Sequence, residues 1–86
     1  MAKTFFPEDY VKVKATRKNI TKEIEYKVSV GMEEWSDGSH RRVYKVQMVI
    51  DGKVNGRQAP SFPAETDDLE RVYKALLDLK KRHGDA

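Results

Sequence analysis

Three stretches of the chain alternate apolar and polar side chains with a period of two. In YVKVKAT, residues 10–16, Val11, Val13 and Ala15 share one side, with Lys12, Lys14 and Thr16 on the other. In EIEYKVSVGM, residues 23–32, Ile24, Tyr26, Val28, Val30 and Met32 oppose Glu25, Lys27 and Ser29. In HRRVYKVQMVI, residues 40–50, Tyr44, Val46, Met48 and Ile50 oppose Val43, Lys45, Gln47 and Val49. A pleated strand turns successive side chains to opposite faces, so each stretch reads as a half-buried antiparallel strand.

The connections suit hairpins. RKNITK, residues 17–22, is a polar loop, and EEWSDGS, residues 33–39, carries the turn pair Asp37-Gly38. Centring the second loop on Asp37 pairs Val30 with Tyr44, Val28 with Val46, Tyr26 with Met48 and Ile24 with Ile50. A slip of one residue would set every apolar side chain against a polar partner, so core burial pins this register. A fourth strand is expected around Val54 to Phe62, after the Asp51-Gly52 or Asn55-Gly56 turn. Pro60 has no N–H for a ladder, which makes that strand a short edge strand, and Phe62 is expected in the core.

ETDDLERVYKALLDLKKRHG, residues 65–84, changes the period to that of a helix. Leu69, Val72, Tyr73, Leu76, Leu77 and Leu79 fall within one apolar arc. Thr66 or Asp67 is the N-cap, Asp67, Asp68 and Glu70 suit the positive end, and Lys80, Lys81, Arg82 and His83 suit the negative end. Gly84 is the natural residue beyond the C-terminus. The arc spans roughly 160°, wider than the ~100° stripe that one sheet contact needs. Two coverings fit the surplus: a second copy, giving a homodimer through the helix, or the chain's own Phe5, Phe6 and Tyr10.

The expected fold is α+β: one small β-β-β-β-α domain, an antiparallel sheet with one face covered by a C-terminal helix. Residues 1–9 form an N-terminal arm, 10–62 the sheet and 66–83 the helix. At 86 residues the chain supports one core. It has no cysteine, which excludes disulfides, thiolate metal sites and cysteine nucleophiles. A domain this small without a disulfide suits a reducing compartment or self-association. No apolar run is long enough for a signal peptide or a membrane span, so the expected location is cytoplasmic, with no membrane partner.

Catalytic patterns are missing. His40 lies near Glu33, Glu34 and Asp37, but their spacing matches no metal motif, and Ser36, Asp37 and His40 do not form a triad by proximity alone. Gly52 and Gly56 read as turn glycines rather than a phosphate-cradling loop. The chain is expected to be no enzyme, with no catalytic residue, metal or cofactor.

The sheet face away from the helix is the remaining surface. Its expected members are Lys12, Lys14, Thr16, Glu25, Lys27, Ser29, Val43, Lys45, Gln47 and Val49. Arg41 and Arg42 stand at one end of the third strand, Trp35 in the adjoining loop and Arg57 near the edge. The net charge of +3 lies in the first 30 residues, which hold seven basic and four acidic side chains. Cations that follow phosphates beside a ring that stacks on a base are the features of a single-strand-binding surface. The candidate contacts are Lys12, Lys14, Lys27, Trp35, Arg41, Arg42, Lys45 and Arg57. Trp35 suits either a stacking ring or a lid on the hairpin core. Tyr26 and Tyr44 fall on the core side.

The stretch VYKVQMVIDGKVNGRQAPSFPAETDDLERVYKALLDL runs strand, Gly- and Pro-containing turn, then a helix opened by polar residues. In this order it resembles the PC4-like (transcriptional coactivator p15) single-stranded-DNA-binding fold. The resemblance implies a homodimer joined through helices, with sheets that bind single strands. Where that family has a lysine-glycine step before the helix, this chain has APSFPAE. The competing expectation is a protein-interaction or assembly module without a nucleic-acid ligand, using the edge strand at Pro60 and exposed Val43 and Val49.

Overall fold

A computed structural model describes residues 4–16 and 22–84. Four antiparallel strands form one sheet in the order β1-β2-β3-β4, followed by one helix. The elements are β1 (Thr4–Lys14), β2 (Ile24–Glu34), β3 (His40–Ile50), β4 (Lys53–Asn55) and α1 (Asp68–Arg82). Most of the first expected loop, residues 17–21, lies outside the described residues.

The β2–β3 register is the expected one: Val30 faces Tyr44, Val28 faces Val46, Tyr26 faces Met48 and Ile24 faces Ile50. The loop between them is fixed by Asp37. Its Oδ1 accepts the Ser39 N–H at 2.9 Å and the Ser39 hydroxyl at 2.6 Å, while Gly38 takes φ 87°. The β3–β4 turn is Asp51-Gly52, with φ values of 50° and 82°. Positive φ at both central residues gives the twist that a two-residue hairpin needs.

Two strand boundaries differ from expectation. β4 has three residues rather than the stretch Val54 to Phe62, so Arg57 and Pro60 lie in the loop beyond it. The Asn55 side chain draws the chain out of the ladder there, its Oδ1 accepting the Arg57 N–H at 3.1 Å. At the other edge, residues 4–9 are not an arm but the first half of β1.

That half is joined to the rest by a β-bulge. Val13, Val11 and Asp9 pair with Tyr26, Val28 and Val30, but Pro7 then pairs with Gly31, leaving Glu8 as the extra residue. A bulge advances one strand by a residue and so exchanges the faces of everything beyond it. Gly31 is what admits it: a Cβ there would lie 2.2 Å from the Phe6 carbonyl oxygen.

The core lies between the sheet and α1. Tyr26, Val28, Val30 and Met48 are fully covered by Val72 and Leu79 of the helix together with their flanking apolar residues. Phe62 packs on Tyr26 with ring centroids 5.0 Å apart, as expected for a core residue. The helix lies over β1 and β2. Its 15 residues give a rod of about 22 Å, close to the span of residues 9–16 in a strand. The hairpin end of the sheet therefore projects past it.

Both helix ends are tied down by charge. Asp67 is the N-cap residue but makes no side-chain cap bond; instead Thr66 Oγ accepts the Asp68 N–H at 3.3 Å. Asp68, placed by sequence among acids facing the helix dipole, is fully buried. Its Oδ2 accepts the Tyr26 hydroxyl at 2.8 Å and the Thr16 N–H at 2.9 Å, and its Oδ1 accepts from Arg71 at 2.6 Å. At the far end Asp9 Oδ2 accepts from Arg82 and from the His83 ring nitrogen, both at 3.0 Å. Gly84 takes φ 69°, as a residue closing a helix often does.

The helix arc is only partly buried. Val72 and Leu79 are covered, whereas Leu69, Tyr73 and Leu77 are 55%, 60% and 48% exposed. Phe6 and Tyr10 do not cover them, both being more than half exposed themselves.

Candidate nucleic-acid interface

The sheet face away from α1 is built by alternation from all four strands. Lys12 and Lys14 come from β1, Glu25, Lys27, Ser29, Gly31 and Glu33 from β2, and Arg41, Val43, Lys45, Gln47 and Val49 from β3. Val54 of β4 pairs with Val49. Two rings flank the bulge. Beyond it Phe5 pairs with Glu33, and just before it Tyr10 pairs with Ser29, so both lie on this face.

Each ring has a cation over it. Lys27 Nζ is 4.6 Å from the centroid of Tyr10, Lys45 Nζ is 4.8 Å from that of Phe5, and the Arg41 guanidinium is 5.7 Å from that of Trp35. A cation within about 6 Å of a ring centre is attracted by the negative π face. Trp35 follows β2 directly and shares its side with Arg41, extending the row to the hairpin tip.

The cations are otherwise sparsely neutralised. Among the described strand residues this face holds five, Lys12, Lys14, Lys27, Arg41 and Lys45, against Glu25 and Glu33. Lys45 pairs with Glu33 at 2.7 Å, and Glu33 is nearly buried beneath it. Lys14 stands opposite Glu25. Lys12 stands opposite Lys27, and like charges directly across a ladder cost stability.

Several expected members are displaced. Arg42 pairs with Met32 on the helix side and holds the bulged Glu8, its Nη1 lying 2.5 and 2.6 Å from the two carboxylate oxygens. The odd-even alternation of β3 separates it from Arg41. Arg57 is in the loop after β4, off the sheet. Ser29 and Val49 belong to this face but are not open to water. Ser29 is buried between the larger Tyr10 and Lys45 on its two sides, and Val49 is 1% exposed between Glu25 and Val54. Val49 thus offers no surface for a partner, and Pro60 is not part of an edge strand.

Phe5 is the ring that alternation alone does not place here; Tyr10 follows from the alternation that places Lys12 and Lys14. Two signals pointed to the bulge that turns Phe5 over: Pro7, which cannot donate in a ladder and favours a bulge or an edge, and Gly31, a glycine inside a strand.

The groups around His40 have separate tasks. His40 Nε2 lies 3.6 Å from Glu34, Glu33 holds Lys45 on the opposite face, and Asp37 holds Ser39. The Ser39 bonds keep the Asp37 carboxyl below the usual range. No group of three or more potential metal ligands occurs among the described residues. No helix among them is long and apolar enough to cross a membrane.

No protein-family model, curated protein or solved structure matches the chain.

Proposed function

We propose that the protein binds single-stranded nucleic acid on the sheet face away from α1, without catalysis. One observation carries this reading: Trp35, Phe5 and Tyr10 form a row on one face, each ring under a cation. Unpaired bases stack on rings, and phosphates draw cations; a duplex offers the phosphates but hides its base faces. In the proposed complex a base takes the ring and the cation swings from ring to phosphate. Lys12 and Lys27, which repel each other in the free protein, would then each take a phosphate. Of the eight contacts expected from sequence, Lys12, Lys14, Lys27, Trp35, Arg41 and Lys45 belong to this surface, joined by Phe5 and Tyr10.

The test is fluorescence anisotropy of a labelled single-stranded 15-mer, with a matched duplex as control and Trp35 emission followed in parallel. The expected result is binding that prefers the single strand and quenches Trp35. Five phosphate contacts would give a log–log salt slope of about −3.5. No binding at low salt would overturn the reading.

Self-assembly is a second reading, favoured by the exposed row Leu69, Tyr73 and Leu77. Antiparallel pairing of two helices about Tyr73 would set Leu69 of one copy against Leu77 of the other, a self-complementary arrangement of the kind that two-fold dimers use. This is also the homodimer that the PC4-like resemblance implies. Sedimentation should show a dimer that Tyr73→Glu dissociates; a wild-type monomer at all concentrations would exclude it.

A further inference from the structure

A cleft of about 320 Å³ lies between β3 and the loop that follows β4. Such a volume is at the lower end of small-molecule sites. The shortness of β4 creates it: the ladder ends at Asn55 opposite Met48, and the chain continues past Lys45 and Gln47 without joining the sheet. Lys45 and Gln47 belong to the face away from α1, and the cleft lies at the β3 edge, across β2 from the β1 rings Phe5 and Tyr10.

Its lining has a consistent chemistry. It contains Arg57, three amides, Gln47, Asn55 and Gln58, and no carboxylate; Lys45 also lines it, but its ammonium is held by Glu33 at 2.7 Å. The Asn55 amide is occupied, its oxygen taking the Arg57 N–H and its nitrogen reaching Gln58 Oε1 at a long 3.5 Å. The Gln47 amide and the Gln58 NH₂ keep their hydrogen-bonding capacity for a ligand. A glutamine amide offers one donor and one acceptor side by side, which matches adenine N6–H₂ and N7. Cytosine N4–H₂ would call for a carboxylate, which the cleft lacks, and guanine N7 and O6 would call for a bidentate cation, whereas adenine needs only the amide. Arg57 adds a charge that suits the attached phosphate.

We propose that this cleft binds an adenine nucleotide, with Gln47 and Gln58 on the base edge and Arg57 on the phosphate. As one nucleotide of a bound strand, this rests on the sheet-face reading and supplies its base preference.

The experiment compares labelled oligo-dA and oligo-dC 15-mers at matched salt, for the wild-type chain and for Gln47→Thr with Gln58→Ala. Threonine suits a strand, and thermal melting checks that the variant folds. Amide NMR spectra with millimolar AMP or CMP form a second arm. The expected result is oligo-dA bound about tenfold more tightly, a preference that the double variant reduces to within twofold without changing the salt slope. AMP, but not CMP, should move the side-chain amide signals of Gln47 and Gln58. AMP shifts with equal oligonucleotide affinities would support the site with a free nucleotide as the source. A preference for oligo-dA unchanged in the double variant would overturn the proposal. So would silence from AMP combined with equal affinities, and steep salt-dependent binding of both strands would then leave the sheet-face reading intact. If no single strand binds at any salt and AMP moves nothing, both fall.

Discussion

The hydroxyl of Tyr26 lies 2.8 Å from Asp68 Oδ2, joining the middle of the sheet to the first turn of the helix inside the core. The same hydroxyl is 3.0 Å from the Ser61 carbonyl oxygen, so the strand, the loop before the helix and the helix meet at one atom. Burial of a carboxylate is costly unless it is paired and hydrogen-bonded, and here Thr16, Tyr26 and Arg71 supply the bonds. Asp68→Ala removes the acceptor from all three. It is expected to destabilise the fold by about 2–4 kcal/mol, whereas Tyr26→Phe costs about 1–2 kcal/mol. Chemical denaturation of both variants and of their combination checks this. The double variant should lose less than the sum, because the two share one bond.

The two clamped carboxylates make stability depend on acid. Burial pushes the Asp68 carboxyl up, but the bonds from Thr16, Tyr26 and Arg71 outweigh it and lower its pKa to about 2. Asp9 is also lowered to about 2, by His83 first, then Arg82 and the Tyr10 N–H. Both folded values lie below the ordinary carboxyl value of 3.8, so between them the unfolded chain binds more protons. The contribution is complete above about pH 4 and is lost as pH falls towards 2. Thermal melts from pH 5 to pH 2 should show a falling midpoint, with a shallower fall in Asp9→Asn.

Gly31→Ala tests the bulge. The new methyl would meet the Phe6 carbonyl oxygen at 2.2 Å, a clash with backbone that no rotamer relieves. The expected cost is about 1–3 kcal/mol, the range for overpacking. It should appear locally, as faster amide hydrogen exchange in residues 4–8 with β2–β3 protection kept. Uniform loss of protection would show that the first half of β1 is not a separable unit.

These residues mark what could be read from sequence and what could not. The register of β2 against β3 was legible to the residue because side-chain alternation and a loop centred on Asp37 agree on one pairing. The face of Phe5 was not, because a single bulge reverses the alternation and its site depends on how closely two backbones approach at Gly31. Asp68 looked like an ordinary acid in a first helical turn; its burial depends on Thr16 and Tyr26, 52 and 42 residues away. The length of β4 turned on side-chain bonds of Asn55 that no periodicity reveals. The cations were easier: Lys12, Lys14, Lys27 and Lys45 sit on alternating strands, so their common face followed from the pattern, while Arg42 and Arg57 were misplaced by one residue of alternation and by the short fourth strand.

The proposed interface predicts that charge and ring variants fail in different ways. Lys12→Gln with Lys27→Gln removes two cations that repel each other, which offsets the lost Lys27 contact with Tyr10, so the fold should be about as stable. Single-strand affinity should fall at least tenfold, and losing two phosphate contacts should make the salt slope shallower by about 1.4. Tyr10→Ala removes a ring while leaving every cation in place. It should weaken binding by about 5- to 150-fold, the worth of one stacked base, with the salt slope unchanged. Anisotropy titrations at four salt concentrations separate the two effects. If Tyr10→Ala binds like the wild type while the lysine variant does not, the face attracts polyanions without stacking their bases. A duplex should then bind as well as a single strand, and the row of rings would be structural, each stabilised by its own cation.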